Sequence, residues 1–190
     1  MTHPRPRMVS PVALLAMLAM TVMLPAAAHG ASAPPATIDT RDYYVSRIGG
    51  FRPTQDPRLS AAMRVFGRPS ARVLNGNSCR VDWRRLGLRI YFANLGGMRP
   101  GQTTCTSSVG RAQTFVARSA RFRTRNGLRV GDPSSSIRMK HPRARFRGRS
   151  WALVLAVFPF GDDEPSPVLS ALVGGGRVRT LQGYIGGAGE

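Results

Sequence analysis

Asp56-Pro57-Arg58-Leu59-Ser60 and, 76 residues further on, Asp132-Pro133-Ser134-Ser135-Ser136 carry the same punctuation. An acid that accepts orphan backbone N–H groups precedes a proline whose missing N–H costs nothing in a first helical turn. The spacing predicts Asp56 and Asp132 as helix N-caps. One helix is expected from Pro57 to about Phe66, stopping at Gly67-Arg68-Pro69, and the other from Pro133 to about His141, stopping at Pro142. Met63 and Met139 fall in step behind the two starts, each followed by a basic residue, as a duplicated module would have them.

Strand-like segments follow each start. Ser78–Trp83 and Leu88–Ala93 (LRIYFA) alternate around a turn near Leu86-Gly87, and Thr114–Val116 with Ala120–Thr124 adds a third strand, broken or continuous. In the second half come Phe146–Phe158, containing the apolar run ALVLAVF, then Val168–Val173 and Arg177–Ile185, the last two joined by Gly174-Gly175-Gly176. The expected fold class is α+β: two tandem repeats of a short helix followed by antiparallel strands, helices on one face of sheet. The first repeat takes residues 41–125 and the second 126–190.

Gly127-Leu128-Arg129-Val130-Gly131-Asp132, leading through a short helix to His141-Pro142-Arg143-Ala144, resembles the G-x-x-x-G-D, helix, Y-P-x-A entry of small exported domains of the β-lactamase-inhibitor-protein-like and BamE (SmpA/OmlA)-like group. Phe66-Gly67-Arg68-Pro69 resembles the matching helix exit of a first copy. His141 stands where an aromatic is usual. The resemblance implies a helix-loop-helix packed on antiparallel sheet, sometimes in tandem, and a protein-binding or envelope scaffold rather than an enzyme. The matching positions are turns and caps, so no functional residue is carried over.

The N-terminus reads as an export signal. Arg5 and Arg7 precede Val12–Leu24, apolar except for Thr21, then Pro25 and Ala26-Ala27-Ala28. Thirteen residues make a helix of about 20 Å, short of a hydrocarbon core of about 30 Å. A cleaved signal over 1–30 is therefore expected, with no membrane span after cleavage. Residues 31–40, rich in Ala and Pro, read as a flexible lead-in. The localisation this implies is secreted or cell-envelope, periplasmic where the host has an outer membrane. In an oxidising compartment the two cysteines, Cys79 and Cys105, are expected to pair.

The formal charge is +19, and residues 111–149 carry +11 of it, with Asp132 their one acid. Two alternating runs stand out: Arg121, Arg123, Arg125, and Arg143, Arg145, Arg147, Arg149. Residues two apart in a strand share a face about 6.6 Å apart, so each run would present a row of guanidinium groups suited to phosphate or carboxylate. Arginine supplies 27 of the 28 basic residues, a skew that a GC-rich coding sequence also produces, so charge alone assigns no partner. Phe122 and Phe146 fall on the opposite face and read as core, as do Trp83 and Trp151. The rows lack the interleaved exposed aromatics that stack bases, so nucleic acid is not the expected partner.

Nothing in the spacing calls for a metal, a cofactor or a catalytic group. Asp162-Asp163-Glu164 lacks the spaced oxygen ligands of a calcium loop and reads as a solvated turn. His141 is alone at a helix end, where the dipole favours a cation and a capping role. Gly183-Tyr184-Ile185-Gly186-Gly187 has no following helix to cradle phosphate. The expected function is non-catalytic binding of a protein or cell-envelope component. Charge-driven capture of anionic envelope polymers or lipids is the alternative, and an extracellular hydrolase with hidden carboxylates a third.

Overall fold

The computed structural model describes residues 36–94, 99–157 and 164–186. Strands hold 49% of these residues and helices 11%. The elements run β1 (Ala36–Arg41), β2 (Tyr44–Ile48), α1 (Leu59–Phe66), β3 (Ala71–Asn75), β4 (Ser78–Trp83), β5 (Leu88–Ala93), β6 (Arg111–Ala117), β7 (Phe122–Thr124), α2 (Ser136–Lys140), β8 (Arg145–Arg147), β9 (Ser150–Ala156), β10 (Ser166–Gly174) and β11 (Arg177–Tyr184). The expected pair of helix-and-strand repeats is not what forms. The described residues are mostly β, with one eight-residue helix among them, and α2 is little more than a single turn.

Eight strands make one antiparallel sheet in the order β3-β4-β5-β6-β11-β10-β9-β8. Two meanders meet at a central seam, where Ala117 of β6 faces Leu181 of β11 and Phe115 faces Gly183. A smaller sheet, β2-β1-β7, pairs β1 antiparallel with β2 and parallel with β7. Ala36–Thr40, read as flexible lead-in, is therefore a paired strand, because Ile38 buries fully in the core and the backbone on either side finds ladder partners. Residues 1–30, including the expected signal, lie outside the described residues.

The small sheet packs on the seam. Val45 of β2 sits over Gly183, where a Cβ would lie 3.0 Å from Val45 Cγ2 and 2.9 Å from Phe115 Cε1, so the approach of the two layers requires glycine. Ile38, Val45, Ile48, Phe51, Phe122 and Leu128 meet Ile90, Phe92, Phe115, Leu169 and Leu181 in the core between them. Leu59, Ala61 and Ala62 of α1 and Ile137 of α2 are buried in the same core.

Both helices start later than the sequence indicates, and for the same reason. Arg58 is extended and bridges Arg111, while Ala112 N–H donates to Pro57 O at 2.8 Å. Pro133 bridges Arg177, and Val178 N–H donates to Asp132 O at 2.9 Å. The residues meant for each first helical turn are taken by the start of a strand. Asp56 and Asp132 are accordingly not N-caps. Asp56 accepts from Arg58 N–H, Arg58 Nε and Arg64 Nη2 at 3.2, 2.8 and 3.0 Å. Those bonds, the Arg58 side chain's above all, hold its carboxyl down at about 2. Asp132 accepts from Arg129 N–H and Lys140 Nζ, closing a turn, and its pKa too is lowered, burial opposing the bonds.

Cys79 and Cys105 form the expected disulfide, Cα to Cα 5.0 Å. It pins the segment after β5 against the buried face of β4. The stretch read as a third strand, broken or continuous, is broken, and its two parts, β6 and β7, join different sheets rather than one.

Candidate anion-binding cleft

β7 alternates as expected. Phe122 and Thr124 are buried, which turns Arg121, Arg123 and Arg125 outward. Arg123 Nε donates to Thr37 Oγ1 at 3.5 Å across the parallel pair. The second row is not a continuous ladder. Arg143 lies in the turn after α2, Arg145 and Arg147 lie on β8, and Gly148, at φ +57°, bends the chain into a hairpin turn that holds Arg149. Arg147 is engaged with Glu164 at 3.4 Å and Pro165 O at 3.1 Å. Asp162 and Asp163 of the same acidic stretch lie outside the described residues.

What the two rows share is a cleft of about 1130 Å3 between the β7–α2 segment and β9. Arg125 reaches it from the first row and Arg143 and Arg145 from the second, with Arg138 of α2 beside them. The floor is apolar: Ile38, Ala144, Leu153 and Leu169 are buried there. No carboxylate is among the described lining residues. The side chains of Arg125, Arg143 and Arg145 make no hydrogen bond or ion pair within the described residues. Each described carboxylate is already matched: Asp39 with Arg47, Asp42 with Arg41, Asp56 with Arg58 and Arg64, Asp82 with Arg80 and Arg89, Asp132 with Lys140, and Glu164 with Arg147. Four of the twelve basic residues of 111–149 thus converge on the cleft.

His141 closes α2, its N–H donating to Ile137 O at 2.7 Å, but it is not the helix-end cation expected. Its ring is buried in the cleft wall with Nε2 2.9 Å from Thr124 Oγ1, which also accepts Leu128 N–H at 3.1 Å. Burial first, and the neighbouring Lys140 charge second, push its pKa below the ordinary 6.5, so the imidazole is neutral at pH 7. The positive charge of the cleft is therefore arginine's alone.

Phe146, expected in the core, is 59% exposed. It ends a row of facing residues that crosses the sheet from Trp83 through Leu88, Ala117, Leu181, Ala171 and Trp151. At the Trp83 end Phe66 of α1 covers the row, ring to ring 5.5 Å, and Trp83 Nε1 donates to Gly67 O at 2.8 Å. At the Phe146 end the five residues of α2 are too short to do the same, and Trp151 stays half-buried. Sequence reasoning missed both this exposure and Arg138. The signal available for Arg138 was its position in the last turn of a helix that Pro142 cuts short.

Among the described residues no three His, Cys, Asp or Glu side chains gather as a metal site would require, and no helix is long and apolar enough to cross a membrane. Compared with protein-family models, with curated proteins and with solved structures, the chain matches none.

Proposed function

We propose that this protein is an exported, non-catalytic binding module that captures an anionic component of the cell envelope in the arginine-lined cleft. The observation that carries the reading is convergence. Arg125, Arg138, Arg143 and Arg145 come from separate elements, face one apolar-floored cleft, and meet no carboxylate among its described lining. Guanidinium forks in such a setting favour phosphate or carboxylate ligands. The disulfide fits an oxidising compartment, in line with the export signal read at the N-terminus. The resemblance to β-lactamase-inhibitor-protein-like and BamE-like exported domains points to binding as well.

Co-sedimentation of the purified protein with envelope preparations from its own host tests this. Raising salt from 0.01 to 1 M shrinks the screening length from about 30 to about 3 Å, so binding should collapse across that range. A variant with Arg125, Arg143 and Arg145 changed to Ser should lose it at low salt. Binding that persists in 1 M salt, or that the triple variant retains, sinks the proposal.

A further inference from the structure

The uncovered end of the sheet forms a second depression, of about 740 Å3, within the ~300–1,000 Å3 range of small-ligand sites. Phe146 and Trp151 make its wall, ring centroids 5.5 Å apart and tilted by 56°. Arg138 lies 5.3 Å from the centre of the Trp151 ring, and Arg149 reaches in from the β8–β9 turn. Ser134 and Ser135 supply hydroxyls. The Trp151 indole N–H and both serine hydroxyls make no hydrogen bond with any described residue. Trp83, by contrast, spends its indole N–H on Gly67 O.

We infer that this depression is a binding site for an acidic saccharide, a ring bearing a carboxylate, stacked on Phe146 and Trp151 with its charge on Arg138 and Arg149. The aromatic faces suit the apolar face of a sugar ring, and the amphipathic indole suits a site that is apolar on one side and wet on the other. The unspent groups are almost all donors: an indole N–H and the Arg149 guanidinium, beside Arg138, whose guanidinium lies over the Trp151 ring and also borders the arginine-lined cleft. They call for a ligand rich in acceptors, as ring oxygens, hydroxyls and a carboxylate are. A peptide would bring backbone N–H donors of its own, and only the two serine hydroxyls stand ready to accept them. Two guanidiniums, with no acid among the described lining, select the charged sugar over the neutral one.

The protein's two tryptophans give a local probe. Trp83 is 2% exposed and hydrogen-bonded inside the core, so a ligand-induced change in emission reports Trp151. Purified protein is titrated with three acidic saccharides: trigalacturonate, a hyaluronan tetrasaccharide and the N-acetylglucosaminyl-N-acetylmuramic acid disaccharide. Maltotriose, inorganic pyrophosphate and hexaglutamate serve as comparisons. At least one acidic saccharide should change the emission saturably, and maltotriose should bind more weakly. Phe146→Ala, at an exposed position, should weaken that binding up to about tenfold, the worth of a good ring contact. Arg149→Ser should narrow the gap between acidic and neutral sugar. The Arg125, Arg143 and Arg145 variant should respond like the parent, which separates this site from the cleft. Silence with all three saccharides overturns the proposal, as does a response to pyrophosphate alone or an affinity indifferent to Phe146→Ala. Tighter binding of hexaglutamate also overturns it and assigns the depression to an acidic protein segment.

Discussion

Replacing Cys79 and Cys105 together by alanine should cost the fold about 3.5 kcal/mol, the loop-closure value for the 26-residue separation that the disulfide spans. Both are changed at once because a single replacement leaves a free thiol. Set against a typical domain stability of roughly 5–15 kcal/mol the loss is large. It corresponds to a fall in Tm of roughly 7–14 °C for a domain of this size. The structure also says where the loss should appear first. The segment from Arg99 to Gly110 has no regular structure, and the disulfide ties it to β4, while Ser60 N–H of α1 donates to Ser107 O at 2.9 Å and Arg72 Nη1 of β3 to Cys105 O at 3.4 Å. Without the cross-link those bonds remain alone. Urea denaturation of the oxidised protein and the double variant gives the global figure. Amide exchange gives the local one, with Ser60 losing protection well before Leu181 at the seam. A difference below about 1 kcal/mol, or a Ser60 amide as protected as before, would refute the reasoning.

Two further perturbations test other parts of the fold. The unfolded His141 imidazole takes a proton near 6.5 and the folded one only at lower pH. Between those values the unfolded state binds more protons, so stability is full above 6.5 and falls as pH drops through that window. His141→Gln should flatten this part of the pH–stability profile, and identical profiles between pH 7 and 5 would remove the buried neutral histidine from the account. Gly110→Ala would set a Cβ 2.2 Å from Thr104 O and 3.0 Å from Phe92 Cβ, and the loop carrying that carbonyl is held by the disulfide. The expected cost is roughly 1–3 kcal/mol by thermal denaturation, and an unchanged Tm would mean the loop is free to yield.

Much of the large sheet was legible in the sequence. β4 and β5 fall at Ser78–Trp83 and Leu88–Ala93 as expected, and the expected glycine run supplies the β10–β11 turn at Gly175-Gly176, with Gly174 pairing Arg177, because alternation and turn glycines act locally. β3 escaped because it is an edge strand with four of its five residues exposed and so shows no alternation, although Asn75-Gly76 is a hairpin signal in its own right. β1 escaped because its fully buried side chain, Ile38, is a single apolar residue beside an Ala/Pro-rich stretch. The helix starts misled because Asp-Pro announces a place where a helix can begin, not how much of it tertiary pairing leaves. Ser134-Ser135-Ser136 are indifferent helix formers, and Pro142 allows no recovery. The arginine rows pointed toward the cleft, since Arg125, Arg143 and Arg145 line it. The β8–β9 turn that removes Arg149, and the short helix that uncovers Phe146, are matters of tertiary fit that residue spacing does not encode.

The seam between β6 and β11 pairs strands that lie far apart in the sequence. Residues from Leu59 to Ala117 hold α1 and all four strands of the first meander, and the outer edge of β6 is left as a row of unpaired backbone groups until Arg177–Tyr184 pairs with it. Such an open edge is a template for the wrong chain, and pairing over so long a separation is slow. Nor is β11 a peripheral strand whose loss merely frays the sheet. Without it the remaining seven strands of the large sheet fall into groups of four and three, and Val45 loses the glycine it rests on. The last of the described strands in sequence is the keystone in space.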